Sequence, residues 1–186
     1  MILATELTPA DRAALERHFL ALDADDRRLR FGVPQTDFAI RAYVERIDFG
    51  RDAVFGVWGG DLLILGAAHL ALARQRAELG LSVLSAHRRS GLGGALLSRA
   101  CVRARNWRRL NLFMYCLSEN QAMLGLARKQ GMTITGAAGE AHAWLELPPA
   151  DAASFLDDLS SEALARLDLA LKAQLGYTLG PLPLQR

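Results

Sequence analysis

Several features that mark other classes of protein are scarce in this sequence. The 186 residues carry a formal net charge of only +2, so the overall charge gives no reason to expect nucleic acid or an anionic membrane as a partner. The two cysteines, Cys101 and Cys116, lie in apolar segments without metal-ligand spacing, which predicts reduced core residues and no metal site. No apolar run approaches the roughly 18 residues of a membrane span, and no basic N-terminal region precedes an apolar core. We therefore expect a cytoplasmic protein.

What the sequence does contain is the composition of an ordinary folded domain. Hydrophobic residues make up 51% of the chain and charged residues 23%, which is close to globular usage, and the length is sufficient for one domain with a full core. The periodicity predicts a mixed α/β order around one sheet. The predicted elements are a strand at Ile2–Leu7, a helix from Pro9 to about Asp23, a charged link at Asp23–Arg30, a helix at Asp37–Ile47, a hairpin of Ala53–Trp58 and Leu62–Leu72, a strand at Glu78–Ser85, a helix at Gly91–Asn106, a strand at Leu110–Cys116, a helix at Asn120–Gln130, strands at Met132–Thr135 and His142–Leu147, and a helical tail at Ala150–Leu175.

The stretch Ala77–Leu97 combines an apolar strand with a glycine-rich turn that opens into a helix. Gly91, Gly93 and Gly94 allow the backbone to pass close to a ligand, and the N–H groups of a helix's first turn have no intrahelical partners. This predicts a site for a phosphate or pyrophosphate. The segment Arg88–Gly93 fits R-x-x-G-x-G, but the chain lacks both the second strand-helix-strand unit of a dinucleotide fold and a Walker loop.

Arginines are concentrated in and after this turn. The cluster consists of Arg88, Arg89, Arg99, Arg103, Arg105, Arg108 and Arg109. Local positive charge of this kind would suit a phosphorylated small molecule. For Arg99, Arg103 and Arg105 a solvated helix face is the more common explanation, and we expect it here.

Three segments carry a family resemblance, and the spacing between them also fits. The strand Ala77–Val83, the turn Arg88–Gly94 and the segment Glu119–Met132 resemble the Gcn5-related N-acetyltransferase (GNAT) superfamily. Within that superfamily, three stretches are similar to the acetyltransferase domain of bacterial Pat-type protein-lysine acetyltransferases, namely Arg28–Phe31, Ile47–Asp52 and Asn120–Gly131.

The resemblance implies a mixed α/β fold of GNAT type. Its central sheet would have six or seven mostly antiparallel strands, splayed between strands 4 and 5 and flanked by helices, with a helical C-terminal tail. The acetyltransferase domain would span residues 1–147. Residues 148–186 would form a mostly helical extension that packs on the same domain or at an interface, such as that of a homodimer.

The same resemblance implies acetyl-CoA as the co-substrate, with no metal. The pyrophosphate would rest on backbone N–H groups of the turn, in agreement with the physical argument for an anion there. The pantetheine arm would bond like an added strand to Leu81 and Val83, with a main-chain N–H near Val83 polarising the thioester carbonyl. Asn120 would lie beside that arm, although a simple helix N-cap explains this residue equally well. The predicted cofactor-binding residues are Leu81, Ser82, Val83, Arg88, Arg89, Ser90, Gly91, Leu92, Gly93, Gly94 and Asn120.

Glu78 is the predicted catalytic residue. A primary amine such as lysine has a pKa of about 10.4 and is mostly protonated at neutral pH, so its attack on a thioester needs a proton acceptor. Family members similar to this chain use a glutamate at this strand position. The alternative is an edge carboxylate paired with Arg76. Ser82 and Ser85 lack a His and Asp arrangement, which favours direct transfer over an acyl-enzyme.

One position departs from the family pattern. Ala127 stands where many members have a tyrosine that protonates the departing thiolate, so the general acid is unassigned. His69, His87 and His142 are isolated in the sequence, and we expect structural or exposed roles for them. A phosphate contact is the alternative for His87, which lies next to the turn.

The sequence therefore predicts an enzyme that transfers an acetyl group from acetyl-CoA to a primary amine, either a protein lysine or a small amine. The alternative, motivated by Ala127, is a non-catalytic regulatory module that binds acyl-CoA. Neither nucleic acid nor a membrane is expected as a partner. Phe31, Tyr43 and Trp144 are candidates for the acceptor pocket, although core packing is the favoured role of each.

Overall fold

A twisted sheet with helices on both faces forms the structure. The computed structural model describes residues 1–73, 76–109 and 111–178. Single turns of 3₁₀ helix at Pro9–Asp11 and Ser85–His87 precede two of the helices. The elements in chain order are β1 (Thr5–Glu6), α1 (Arg12–Leu20), α2 (Ala24–Phe31), α3 (Asp37–Glu45), β2 (Ala53–Trp58), β3 (Ile64–Ala73), β4 (Arg76–Val83), α4 (Leu92–Asn106), β5 (Asn111–Leu117), α5 (Gln121–Lys129), β6 (Thr133–Ala137), β7 (Glu140–Glu146) and α6 (Ala152–Thr178).

The strand order in the sheet is β1-β2-β3-β4-β5-β7-β6. Neighbouring strands are antiparallel, except that β4 and β5 run parallel. The predicted mixed α/β fold with a mostly antiparallel sheet is therefore confirmed. Most predicted strand and helix ends differ from the observed ones by a few residues. The predicted start of the fifth strand, Leu110, lies outside the described residues.

The parallel pair β4 and β5 separates along its length. Their backbones are paired at Ala77 with Leu112 and at Glu78 with Phe113, and no further along. Beyond this point β4 stays paired with β3 to its end, and β5 stays paired with β7 to its end. The predicted opening between strands 4 and 5 is therefore confirmed, and each of the two strands has one edge without a strand partner there.

Hydrophobic cores cover both faces of the sheet. Alternate residues of a strand point to opposite faces, and on β4 the residues Ala77, Leu79 and Leu81 pack in a core that includes Leu96 of α4. The opposite face packs against α1 and α3, where Phe19 is completely buried. The even-numbered residues of β4 therefore face α1, α2 and α3.

The two cysteines lie in these apolar interiors as buried free thiols, as the sequence predicts. Burial raises the pKa of Cys101 to about 11, so this thiol is protonated and unreactive at neutral pH.

The predicted charged link at Asp23–Arg30 is wrong, because this segment forms the helix α2. The Asp23 side chain caps the helix by accepting a hydrogen bond from the Asp26 N–H at 2.8 Å. Gly32 ends it in the left-handed conformation with φ +79°. Arg27 fastens α2 to the end of α1 by donating to two backbone carbonyls there. A very polar segment is thus helical because both of its ends are capped and it is tied to its neighbour.

A network of ion pairs attaches the C-terminal helix α6 to α4 and β1. The pairs are Arg99–Asp158, Arg99–Glu162, Arg103–Glu6, Arg103–Asp158 and Arg105–Asp151. Arg99 is only 7% exposed, so the expected solvated face for Arg99, Arg103 and Arg105 is wrong. The partners lie far along the chain, where a local charge pattern cannot reveal them. Helix α6 has 27 residues, but no helix in the described part of the chain is long and apolar enough to cross a membrane.

A buried histidine ties α1 to the sheet. His18 is 2% exposed, with Nδ1 2.8 Å from the Ile64 carbonyl on β3 and Nε2 2.8 Å from the Ser82 hydroxyl on β4. The carbonyl can only accept, so Nδ1 carries the proton and Nε2 accepts from the hydroxyl. Burial lowers the pKa of His18 from 6.5 to about 4. The imidazole is therefore neutral at physiological pH.

Replacing Arg99 by alanine is expected to lower the free energy of unfolding by about 2 kcal/mol, because it removes the cation that lies between the largely buried carboxylates of Asp158 and Glu162. Asp158 then keeps only Arg103 as an ionic partner, and Glu162 keeps only the more exposed Arg166. Arg105→Ala is the matched control. Its partner Asp151 is 56% exposed, so this ion pair is expected to contribute far less. Chemical denaturation of both variants measures the difference. Equal stability of the two variants would contradict the role assigned to the Arg99 pairs.

Acid is expected to destabilise the fold through His18. The unfolded chain binds a proton near pH 6.5 and the folded chain only near pH 4, so this contribution is complete above pH 6.5 and is lost as the pH falls toward 4. Between pH 7 and pH 4.5 the expected loss in the free energy of unfolding is about 2 kcal/mol.

Urea denaturation at the two pH values tests this expectation. The variant His18→Gln should flatten the pH dependence, whereas His142→Gln, at a half-exposed position on β7, should keep it. A His18→Gln protein with an unchanged pH dependence would show that other groups govern the acid sensitivity.

Candidate active site

The glycine-rich turn presents free backbone donors at the start of α4. Gly91 precedes the helix with φ +92°, a left-handed conformation that glycine adopts without strain. The first hydrogen bond of the helix runs from the Ala95 N–H to the Gly91 carbonyl at 3.1 Å. The N–H groups of Leu92, Gly93 and Gly94 therefore have no intrahelical acceptor, and the positive end of the helix dipole lies behind them.

A cavity of about 950 Å³ opens beside this turn, within the size range of small-molecule sites. Its walls come from the link between α1 and α2, from α2, β4 and α5, and from the turn with the first part of α4. Ser90 does not line it, and its hydroxyl donates to the His87 carbonyl at 2.5 Å. The other residues predicted to bind the cofactor all line the cavity, namely Leu81, Ser82, Val83, Arg88, Arg89, Gly91, Leu92, Gly93, Gly94 and Asn120.

The end of β4 presents main-chain groups to the opening beside β5. The Leu84 N–H bonds to the Leu65 carbonyl on the β3 side at 2.9 Å, and such contacts alternate along an antiparallel strand. The N–H and C=O groups of Leu81 and Val83 therefore point away from β3 and toward the opening. One of these groups has a partner there, since the Arg88 Nε donates to the Val83 carbonyl at 3.3 Å.

Helix α2 forms a wall of the cavity that the sequence analysis missed. Asp26, Leu29 and Arg30 line it. The Asp26 carboxylate is 8% exposed and forms an ion pair with the Arg88 guanidinium. This ion pair fastens the glycine-rich turn to α2, so both walls of the cavity hold a fixed position relative to each other.

Helix α5 forms the opposite wall. The Asn120 side-chain oxygen accepts a hydrogen bond from the Met123 N–H at 3.1 Å, so the N-cap interpretation is confirmed. The side-chain nitrogen donates to the Leu29 carbonyl at 3.4 Å, and a contact of Asn120 with a pantetheine arm stays a prediction. The lining residues of α5 and its C-terminal end that the sequence analysis missed are Ala122, Met123, Gly125, Leu126, Lys129 and Gln130.

Glu78 lies at the closed end of the opening, at the last backbone pair between β4 and β5. It is half-buried and shares a sheet face with Gly80 and Ser82, because alternate residues point to the same side. It is not among the residues that line the cavity. The alternative pairing with Arg76 is not observed: within the described residues Glu78 makes no ion pair, and the Arg76 guanidinium lies 4.9 Å from the centre of the Phe113 ring.

Ser82 has a histidine partner that the sequence analysis did not identify. His18, which is 64 residues away in sequence, accepts a hydrogen bond from the Ser82 hydroxyl at 2.8 Å. No aspartate completes this arrangement, because the other ring nitrogen bonds the Ile64 carbonyl. With a pKa of about 4, the imidazole is a weak base at neutral pH. Direct transfer therefore remains the favoured chemistry.

The other histidines have separate environments. His69 is largely buried and bonds Tyr43 and Asp52, which is a structural role. His142 is half-exposed on β7. His87 is exposed and lines the cavity beside the turn, and its contact with a phosphate stays a prediction.

Solved structures of acetyltransferases share this fold. The GNAT domain of S. lividans PAT superposes with a TM-score of 0.67 at 17% sequence identity, over 77% of this chain and 89% of that chain. An N-acetyltransferase from Staphylococcus aureus Mu50 gives 0.62 at 18% identity, over 80% and 99% of the two chains. The ribosomal-protein-alanine N-acetyltransferase from Brucella melitensis gives 0.60 at 19% identity, over 78% and 100%. At these identities the likeness shows the fold.

The family is shown by the sequence. A comparison with curated proteins found no match, but the model of the acetyltransferase (GNAT) family matches residues 17–132. This segment runs from α1 through α5 and contains the glycine-rich turn, the opening beside β4 and the walls of the cavity. The resemblance indicated by the three motifs is thereby confirmed. The chain is an acyltransferase and belongs to the GNAT acetyltransferase family.

Proposed function

We propose that the protein transfers an acetyl group from acetyl-CoA to a primary amine, either a protein lysine or a small amine, by direct attack of the amine on the thioester. The observation that carries this proposal is the meeting of two backbone surfaces in one cavity: the free N–H groups at the start of α4 and the edge of β4 that no strand covers. Coenzyme A is a long ligand with a pyrophosphate at one end and an arm rich in amides at the other, so it needs both surfaces.

The anionic end of the ligand is expected at the turn. The N–H groups of Leu92, Gly93 and Gly94 point at the cavity with the helix dipole behind them, which favours a pyrophosphate. Arg89 lines the cavity and is exposed, so it adds positive charge. Arg88 is already paired with Asp26, and we assign it the role of holding the turn in place.

The amide-rich arm is expected along β4. Its amides would bond to the main chain of Leu81 and Val83 as an added strand does, which is a common mode of recognition at an open sheet edge. A main-chain N–H near Val83 is the proposed donor to the thioester carbonyl oxygen, whose negative charge grows as the amine attacks.

Glu78 is the proposed proton acceptor. The acceptor amine must lose a proton before it attacks, and Glu78 would take this proton directly or through a water molecule. As the amine nitrogen bonds to the carbonyl carbon, the bond from that carbon to sulfur breaks and the thiolate leaves. Ala127 is completely buried and its side chain has no proton to give, so we assign protonation of the thiolate to water.

We also propose that residues 1–147 form the acetyltransferase domain and that residues 148–186 extend it. The ion pairs between α6 and α4 support an extension that packs on the same domain. A measurement of thiol release from acetyl-CoA distinguishes this enzyme from a non-catalytic acyl-CoA-binding module, because such a module would bind the thioester and acetylate no acceptor.

Glu78→Gln is expected to lower kcat by about 100-fold or more at neutral pH. The affinity for acetyl-CoA should not change, because Glu78 does not line the cavity. The deficit should shrink as the pH approaches about 10, where the amine is deprotonated without help. Release of free thiol from acetyl-CoA with a panel of amines and proteins measures the rate. Glu140→Gln, at an exposed position on β7, is the control, and equal rates in Glu78→Gln and wild type would remove Glu78 from the mechanism.

Gly94→Glu is expected to weaken binding of acetyl-CoA by roughly 30-fold or more, because it places a carboxylate where the pyrophosphate is expected. The fold should tolerate the change. Gly94 lines the cavity, a Cβ there would meet no atom within 4 Å, and glutamate is favourable in the first turn of a helix.

Gly94→Gln is the matched control for that variant, since it adds the same bulk without the charge. Calorimetric titration of both variants with acetyl-CoA separates the electrostatic effect from the steric one. Wild-type affinity in Gly94→Glu would exclude the start of α4 as the pyrophosphate site.

A further inference from the structure

Arg30 of α2 lies flat against the backbone of β4. A Cβ at position 80 would overlap its guanidinium group, so Gly80 leaves the space that this group occupies. The rings of Phe19, Phe31 and Tyr43 surround the cation, with its central carbon 5.6, 4.9 and 5.8 Å from their centres. Arg30 is half-buried and also lines the cavity. The cation is thus held firmly at the wall of the site.

This cation lacks an anionic partner. Its Nη2 donates to the Tyr43 hydroxyl at 3.1 Å, and its buried Nε has no hydrogen-bond partner. Among the described residues, no carboxylate lies within ion-pair distance of it, in contrast to Arg27 and Arg88, which pair with Asp37 and Asp26. Withdrawing a cation from water without a counter-ion costs free energy. A ligand that supplies an anion would offset this cost.

A chain of hydrogen bonds fixes the orientation of Arg30. The Nε2–H of His69 donates to Asp52 at 3.0 Å, and the Tyr43 hydroxyl donates to His69 Nδ1 at 2.6 Å. The Tyr43 oxygen is thereby left as an acceptor for Arg30. Asp52 is the acidic end of the chain, and two neutral side chains stand between it and the guanidinium. Burial lowers the pKa of His69, so that ring adds no further positive charge.

The position of Arg30 along β4 identifies the part of the substrate that it would meet. Gly80 lies three residues before Val83, which is about 10 Å along a strand and away from the glycine-rich turn. Glu78 lies on the same face two residues further on, and it also makes no ion pair within the described residues. An unpaired cation and an unpaired carboxylate therefore lie at and beside Gly80, on the side of the proposed thioester position that faces away from the turn. The far end of an acyl group or of the acceptor amine would extend in this direction.

We propose that Arg30 binds a carboxylate of the substrate. This inference rests on the proposed function, because that function runs the ligand from the turn along β4, so that the far end of the acyl group or of the acceptor extends from Val83 toward Gly80. The carboxylate has two possible sources: the far end of a dicarboxylic acyl group carried by coenzyme A, or the position beside the amine of an amino-acid acceptor. Either one offers the planar pair of oxygens that a guanidinium binds with two parallel hydrogen bonds.

Two pairs of probes separate these sources by binding alone. Succinyl-CoA and butyryl-CoA differ in the terminal carboxylate of the acyl chain. L-lysine and cadaverine, titrated into the complex of the protein with free coenzyme A, differ in the α-carboxylate. In one of the two pairs we expect the wild-type full chain to bind the carboxylate-bearing member about tenfold more tightly or better by calorimetry.

Variants of the arginine test the assignment. Arg30→Gln should abolish the preference for the carboxylate. Arg30→Lys should keep part of it, because lysine retains the positive charge but lacks the two parallel N–H donors of the guanidinium. Arg28→Gln is the matched control on the same helix, since Arg28 pairs with exposed Glu119 and does not line the cavity; it should keep the full preference. Thermal unfolding of each variant identifies any that fail to fold, and Arg30→Lys serves if Arg30→Gln does not fold.

The outcomes are distinct. Equal affinities within both pairs in the wild type, or a preference that persists in Arg30→Gln, would overturn the carboxylate site and leave Arg30 as a structural cation. Because these measurements need no turnover, a protein that binds the carboxylate ligand through Arg30 but acetylates no amine would disprove the proposed function and leave this inference intact.

Discussion

The separation of β4 from β5 is the constraint on which the rest of the structure depends. Backbone N–H and C=O groups in a protein interior need partners, and two parallel strands that start paired would normally continue to pair. Here they stop after Glu78 and Phe113. Helix α2 packs against both strands on one side of the opening, while α4 and α5 form walls on the other, so the opening is kept by helices attached to both halves of the sheet. A ligand with its own backbone-like amides is the partner that such an opening can accept.

Arginine serves two different purposes in this chain. Arg99 and Arg103 each form ion pairs with two carboxylates of α6 or β1, so their charge is balanced within the fold. Arg30 is held by rings and a hydroxyl instead, so its charge remains available. The distinction follows from what each element offers: α6 supplies acidic side chains opposite α4, whereas the cluster around Arg30 is aromatic and electrically neutral apart from Asp52 at its far end. Positive charge near the cavity therefore cannot be judged from the number of arginines in the sequence.

The sequence predicts the strands and the glycine-rich turn well, because each depends on local signals, whereas the opening between β4 and β5 was predicted only through the family resemblance. Apolar runs mark β2 to β5, and Gly91 marks a position that needs a positive φ. The helix α2 was missed because its residues are polar and only one side of it faces the protein, although Asp23 and Gly32 were available as capping signals. The His18–Ser82 contact and the partners of Arg99 could not be predicted, since they join residues that are distant in sequence and carry no motif. The role of Glu78 rests on the family resemblance, and its absence from the cavity lining leaves that role to the kinetic test.

The attachment of α6 to β1 has a consequence for how the protein is made. The Glu6 N–H donates to the Glu162 carboxylate at 3.0 Å across 156 residues of sequence, and the Thr5 hydroxyl reaches the Ala165 carbonyl at 3.4 Å. The ribosome therefore releases β1 long before its partner exists. At about 5–20 residues per second, roughly 10–30 s pass between the synthesis of β1 and the synthesis of the part of α6 that bonds to it. During that interval the sheet has an uncovered edge at β1, which makes the nascent chain, rather than the finished protein, the form most exposed to wrong strand pairing.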